Sequence, residues 1–126
     1  MPDTTIEIPP ARWNEFCRAV NDAYRGAVTI RVVQQDGIER DLAHDVPLRL
    51  VAFQKQGECN DAVTIEAGPF DERPLQHQII EPIRIMLKKN GESGRYKHVE
   101  ILAETGMTEV TFTPGINSTV LEKLAA

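Results

Sequence analysis

One stretch, residues 8–34, limits what this chain can fold into more than any other, because a helical pattern runs through one glycine into a strand pattern. From Ala11 the apolar residues recur at spacings of three and four, which places them on one stripe of a helix. That stripe consists of Trp13, Phe16, Cys17, Val20 and Tyr24. After Gly26 the spacing becomes two, with alternate positions at Val28, Ile30 and Val32. The stretch therefore predicts an amphipathic helix followed directly by a strand with one buried face.

The flanks of this stretch predict where its helix begins and ends. Pro10 suits the first helical turn, where its missing N–H is not needed. Gly26 predicts a left-handed stop at the C-terminal end. Upstream, Ile6 and Ile8 occupy alternate positions and indicate a short extended arm, whereas we expect residues 1–5 to be flexible.

The middle of the chain predicts antiparallel strands. Asp36-Gly37 directly follows the first strand and is the strongest hairpin signal in the sequence. Residues 38–45 fit either the return strand of that hairpin or a polar loop. Residues 46–55 and 62–67 both alternate, and the polar run between them predicts a second hairpin.

The last third predicts further strands around two prolines. Residues 75–89 read as extended chain bent at Pro82, because proline cannot donate to a ladder; a helix over 83–89 is the competing interpretation. We expect a loop over 90–97, then a hairpin of 98–105 with 107–113.

We expect Pro114-Gly115 to end the last strand. Residues 115–126 are then expected to be either flexible or a short C-terminal helix over Val120, Leu121 and Leu124.

Together these elements predict a fold class. An arm, one helix and about five to seven short strands in a chain of 126 residues indicate a single α+β domain, residues 1–126. We expect the N-terminal helix to pack on a curled antiparallel sheet or small β-barrel, in an order similar to that of SH3 and Sm-like barrels.

Composition excludes several classes of partner. Fourteen basic and nineteen acidic residues give a net charge of −5, which disfavours nucleic acid. The sequence has neither an apolar run of the ~20 residues that span a bilayer nor a basic-then-apolar N-terminal segment. Cys17 and Cys59 are too few and too distant for a disulfide scaffold or a zinc site. We therefore expect a folded cytoplasmic protein that makes no use of a membrane.

The reactive side chains form no catalytic or metal-binding motif. The three histidines, His44, His77 and His98, lack the spacings typical of metal sites. Ser93 and Ser118 lack the context of a nucleophile, and no glycine-rich phosphate loop is present. We expect no metal and no cofactor. Without a catalytic motif, an enzyme is the weaker hypothesis. The first hypothesis is a non-catalytic binding or accessory module that acts through protein contacts or as a homo-oligomer, because short strands offer edges to another chain.

The alternative hypothesis is a small-ligand binder or enzyme with a pocket at the open end of the barrel. His77 shares its strand parity with Leu75 and Ile79, so it faces the core or its rim. A histidine at such a position is more often structural than ligating. With Arg84 and with Asp71 of the adjacent polar loop, it forms the predicted ligand-binding set.

Several segments resemble one family. They are IEIPPARWNEF, Tyr24-Arg25-Gly26 followed by VTIRVV, then VPLRL, VTIEAG and HQIIEPIRI. This order is similar to that of a family of small bacterial proteins, domain of unknown function DUF5335, over residues 6–112. A longer loop at 90–97 and the extension past Pro114 depart from the family pattern. Because that family has no assigned activity, the resemblance implies an organisation and a bacterial origin but no function.

Overall fold

A computed structural model describes residues 3–24, 26–54, 61–69, 71–92, 94–117 and 121. These residues form one helix and eight strands. In chain order the elements are β1 (Thr4–Ile8), α1 (Trp13–Ala23), β2 (Ala27–Gln34), β3 (Glu39–Gln54), β4 (Ala62–Ala67), β5 (Leu75–Ile80), β6 (Arg84–Lys89), β7 (Arg95–Ala103) and β8 (Gly106–Asn117).

The eight strands form one antiparallel sheet in the order β1-β6-β7-β8-β2-β3-β4-β5. The sheet curls, so that β5 comes back over β7 and β8. The two terminal strands, β1 and β5, share no ladder in the described part of the chain. The prediction of an α+β domain with an N-terminal helix on a curled antiparallel sheet is confirmed. The arm at Ile6 and Ile8 is an edge strand, and it already includes Thr4 and Thr5 from the segment expected to be flexible.

Strand β3 makes the curl, because its two halves belong to different layers. Its first half pairs with β2 as far as Pro47, and its second half, from Leu48, pairs with β4. Asp45 adopts a left-handed φ of 51° just before the changeover, where its N–H donates to the Thr29 hydroxyl at 3.1 Å. Of the two interpretations of residues 38–45, the strand is therefore correct, and the predicted boundary with 46–55 does not exist.

The helix buries the predicted stripe but ends differently from the prediction. Residues 10–12 form a 3-10 turn before α1, and Trp13, Phe16, Cys17 and Val20 are buried. The predicted left-handed stop at Gly26 is wrong, because the helix ends at Ala23 and Tyr24 is already extended. Gly26 is required for space: a Cβ there would lie 2.8 Å from the Tyr24 Oη.

Two anchors fix α1 and the segment after it to the sheet. The Tyr24 hydroxyl accepts the Thr113 N–H at 2.9 Å and lies 2.5 Å and 2.8 Å from the carbonyl oxygens of Ala27 and Thr113, one of which takes its proton. The Asn21 amide donates to the Val51 carbonyl at 2.6 Å and accepts the Val51 N–H at 2.8 Å. Asn21 thereby provides hydrogen-bond partners for the Val51 backbone in the half of β3 that no longer pairs with β2.

Two prolines of the last third interrupt strand pairing in different ways, Pro82 at a bend and Pro114 within a bulge. Residues 84–89 are strand β6, so the bend at Pro82 is confirmed and the competing helix is wrong. Strand β7 begins at Arg95, inside the predicted 90–97 loop, because Tyr96 is buried and pairs with Ile116. The predicted end at Pro114-Gly115 is also wrong. Strand β8 continues to Asn117 because a large bulge opposite residue 97 accommodates the proline, which has no N–H to donate.

The core lies between α1 and the facing layers of the curled sheet. Phe16 and Val20 of α1 meet Val51 and Ile65 on one layer, and Val99, Ile101, Val110 and Phe112 on the other. Of the predicted C-terminal helix, only Leu121 is described; it is helical and fully buried. Of the predicted turn over residues 56–61, which carries Cys59, residues 56–60 lie outside the described residues.

Candidate functional site

A cavity of about 240 Å³ lies where β5 comes back over the opposite layer. It opens between the last residues of β5 and the hairpin that joins β7 to β8. We call it the β5 cavity. Its main lining residues are Val32, His77, Ile79, Glu81, Glu104 and Thr108.

A histidine and a threonine meet inside the β5 cavity. Strand alternation turns His77 inward from β5, in the same row as Ile65 and Val51. The same alternation turns Thr108 inward from β8, and the residue is 4% exposed. The His77 Nε2 and the Thr108 Oγ1 lie 3.0 Å apart, which is a hydrogen bond between strands that share no ladder.

Burial controls the charge of this pair. Desolvation lowers the pKa of His77 below its ordinary 6.5, so the imidazole is uncharged at neutral pH. A neutral imidazole has one donor and one acceptor nitrogen, and the Thr108 hydroxyl can take either role toward it. The floor of the cavity is therefore polar and uncharged.

The remaining surface of the cavity is apolar inside and acidic at the rim. Val32, Ile79 and Ala103 supply apolar walls. Glu81 and Glu104 also line the cavity, and both are exposed. A ligand would therefore meet carboxylates at the mouth, apolar walls inside and the two neutral polar groups of the floor.

Two tight turns hold the mouth of the cavity in shape. Gly106 begins β8 with a φ of +147°, and a Cβ there would lie 2.3 Å from the Val33 carbonyl oxygen, so only glycine fits. Glu81 has a left-handed φ of 52°, an uncommon conformation for a residue other than glycine. Its N–H donates to the Asp61 carbonyl at 2.7 Å. A backbone hydrogen bond therefore holds the turn of Glu81, and the turn that carries Glu104 leads directly into a position that only glycine fits.

Of the three residues predicted to bind a ligand, only His77 lines the β5 cavity. Arg84 lies on the opposite face of the sheet from the buried Ile85, and its Nε is 3.5 Å from a carboxylate oxygen of Glu7 on β1. Asp71 lies in the exposed turn before β5, at the other end of that strand from Glu81. The structure does not bring the three side chains together.

Thr108, the hydrogen-bond partner of His77, was not predicted from the sequence. Thr108 lies two positions before Val110, and the predicted parity of that strand already turned Val110 and Phe112 inward. A threonine at the next inward position was a signal for a buried polar contact. Glu104 carried no signal, because a carboxylate in a hairpin turn is ordinary.

A second polar cavity has a structural explanation. It measures about 250 Å³ and is lined in part by Lys88 and His98 on the outer face of the sheet. The Lys88 Nζ lies 2.7 Å from a carboxylate oxygen of Glu100, and the His98 Nδ1 lies 3.0 Å from the Thr111 Oγ1. These side chains are already paired with neighbours on adjacent strands.

The β5 cavity offers one imidazole and one hydroxyl to a bound molecule. An imidazole beside a hydroxyl is the first half of a nucleophile-and-base arrangement, which also needs a group that orients the imidazole. No carboxylate of the described residues has a hydrogen bond to His77. Nor does any group of three His, Cys, Asp or Glu side chains in the described ranges have the arrangement of a metal site.

Two further comparisons concern membranes and known proteins. Within the described residues, no helix has the length and hydropathy that a bilayer crossing requires. Searches found no matching protein-family model, no matching curated protein and no matching solved structure. The resemblance to DUF5335 therefore stays a prediction.

Proposed function

We propose that this protein is a non-catalytic binding module whose ligand is a small molecule held in the β5 cavity. The observation that carries the proposal is the His77–Thr108 bond at the floor of an open, apolar-walled cavity. A few convergent polar groups within an apolar concave surface are typical of ligand sites. We also propose a cytoplasmic location, because two cysteines in 126 residues lack the disulfide density typical of small secreted domains.

The cavity volume supports a ligand of modest size. A closed apolar cavity of about 150 Å³ is known to hold benzene. At about 240 Å³ the β5 cavity accommodates a single ring with a substituent. Larger ligands would extend past Glu81 and Glu104 into solvent.

Amide chemical shifts with ring-sized fragments test this proposal. We expect saturable shifts at the backbone of His77, Ala103 and Thr108. Val32→Phe fills the cavity and should abolish them. Val33→Phe is the matched control, because the next residue on the strand projects to the opposite face and does not line the cavity. If no fragment gives saturable shifts, or if shifts persist unchanged in Val32→Phe, the proposal fails.

A second candidate function, self-association, has its own observation at the outer edge of β5. In the described residues this strand pairs only with β4. Leu75–Ile80 contains no Lys, Arg, Asp or Glu, the charges that normally protect an edge. Ile80 and, in the following turn, Ile83 are 45% and 49% exposed. The opposite edge differs, because β1 carries Glu7 and its Ile8 carbonyl accepts the Trp13 indole N–H.

For this second candidate we propose that two copies pair through β5 in antiparallel orientation, related by a twofold axis. Sedimentation velocity across a wide concentration range should show a dimer. Ile80→Lys introduces a charge beside that edge and should leave a monomer. Ile38→Lys is the matched control, because Ile38 is 55% exposed in the β2–β3 turn. A monomer at every concentration, or equal effects of the two variants, contradicts the candidate.

A further inference from the structure

We propose that the ligand of the β5 cavity is a small organic cation, an ammonium group on a compact apolar body. This inference rests on the proposed ligand-binding function and adds the charge of the ligand. It follows from the way charge and apolar surface are distributed between the mouth and the interior.

The mouth of the cavity carries negative charge from two separate elements. Glu81 belongs to the turn after β5, and Glu104 belongs to the β7–β8 hairpin. No lysine or arginine is among the described residues that line the cavity. The whole chain adds to this field, because its net charge is −5. An anion would therefore be repelled at the entrance, and a cation would be attracted.

The interior, as far as the described residues line it, contains no charge that would cancel this preference. His77 is uncharged at neutral pH because burial lowers its pKa. Thr108 is neutral, and the remaining walls are formed by Val32, Ile79 and Ala103. These groups can surround an apolar body, while His77 and Thr108 can hydrogen-bond a polar substituent.

The same distribution disfavours a bare metal ion. A metal ion that enters an apolar-walled cavity loses hydration and needs several oxygen or nitrogen ligands in return. The described residues offer no cluster of three His, Cys, Asp or Glu side chains for that purpose. An organic cation avoids the cost, because its body fills the cavity while its ammonium group stays at the wet mouth beside the carboxylates.

Three probes of similar shape and different charge test the inference by amide chemical shifts at neutral pH and low salt. They are benzylammonium, benzyl alcohol and benzoate. We expect benzylammonium to bind roughly tenfold more tightly than benzoate, because two partly exposed carboxylates each contribute modestly to such a contact. Benzyl alcohol should lie between them. Added sodium chloride should reduce the difference, since it screens exposed charges.

Charge-neutral variants locate the preference. Glu81→Gln combined with Glu104→Gln should weaken the binding of benzylammonium relative to benzoate and bring the affinities of the three probes together. Asp71→Asn combined with Glu72→Gln is the matched control, because it removes two exposed carboxylates from the turn at the other end of β5. That variant should keep most of the preference for benzylammonium.

The outcomes separate the inference from the function on which it rests. If the three probes bind equally, or benzoate binds best, the cation preference is wrong and ligand binding stands. If none of the three shifts the cavity amides, both proposals fail. If the control that replaces Asp71 and Glu72 loses as much preference as the variant of Glu81 and Glu104, the net charge of the chain is responsible, and the assignment to Glu81 and Glu104 is wrong.

Discussion

The two sides of the core are closed by different means. On the helix side, α1 packs Phe16 and Val20 between the two layers, and Tyr24 and Asn21 join the helical segment to the backbone of both. On the β5 side, the layers meet through His77 and Thr108, beside an open cavity. Strand β8 reaches both sides, since its Phe112 packs edge-on against Tyr24 with ring centroids 4.9 Å apart.

If the β5 cavity binds a ligand as proposed, this difference separates the region that stabilises the fold from the region that binds. Aromatic side chains bury the largest apolar areas, and α1 brings Trp13 and Phe16 to one side. The β5 side has smaller apolar residues and leaves space unfilled. We therefore expect substitutions on the helix side to destabilise the fold and substitutions on the β5 side to change binding.

The largest expected effect is that of Phe16→Ala. It leaves a void in the middle of the helix side, and a change of this type costs about 3–5 kcal/mol in free energy of unfolding. Val32→Ala on the β5 side should cost roughly 1 kcal/mol or less, because its side chain already borders open space. Urea unfolding followed by circular dichroism measures both. Equal losses would remove the distinction between the two sides.

Tyr24→Phe should have the next largest effect. It keeps the ring but removes the hydroxyl that accepts the Thr113 N–H and donates to a nearby carbonyl. The hydroxyl makes three partly buried contacts with backbone groups of Ala27 and Thr113, and losing them together costs roughly 1–3 kcal/mol. Urea unfolding measures the loss, and amide hydrogen exchange at Thr113 should accelerate. A variant as stable as the parent would show that the hydroxyl does not hold the helix side together.

Asn21→Ala should have a smaller effect, about 1 kcal/mol, because it removes two partly buried bonds to Val51 and Asn21 is itself less buried than Tyr24. The fluorescence of Trp13, the one tryptophan of the chain, follows unfolding from the start of the same helix. Asn14→Ala is the matched control, since Asn14 is exposed on α1. If both variants lose the same stability, the change in helix propensity explains the result, and the two Asn21 bonds to Val51 in β3 do not.

The smallest expected effect is the pH dependence that His77 gives to stability. Its pKa is lowered in the fold, so the unfolded chain binds a proton more readily. The neutral imidazole therefore contributes stability that is fully present above the ordinary value of 6.5 and is lost as the pH falls through the lower folded value. His77→Asn should flatten this part of the profile of urea midpoint against pH. A profile that is unchanged in the variant would assign the slope to other groups.

The sequence predicted the helix and the strands better than it predicted where they end and how they connect. Period-two alternation was sufficient for the strands, and the apolar stripe was sufficient for α1, because burial imposes both patterns locally. The continuity of β3 was not predictable from 38–45, since that half is exposed and its pattern is weak. The role of Gly26 was missed because it depends on Tyr24 and Thr113, a contact that closes only in the folded chain.

The candidate site was predictable only in part, for the same reason. Strand parity turned His77 inward, and this is where the structure places it. Arg84 lies close to His77 in sequence but follows Pro82, after which the chain crosses to the other layer and pairs with β7. Thr108 and Glu104 come from a hairpin distant in sequence. Only the curl of the sheet brings them to β5.

Because Cys17 is buried on α1, the rate at which its thiol is alkylated can report how often the helix side opens. The thiol lies on α1 with its pKa raised by burial to about 12, so alkylation requires that the helix first detach and expose it. With Cys59 replaced by serine, the labelling rate at neutral pH would measure how often α1 opens. A ligand in the β5 cavity that slowed this labelling would show that the two sides open together. Unchanged labelling would show that the cavity can exchange its contents while the helix stays closed.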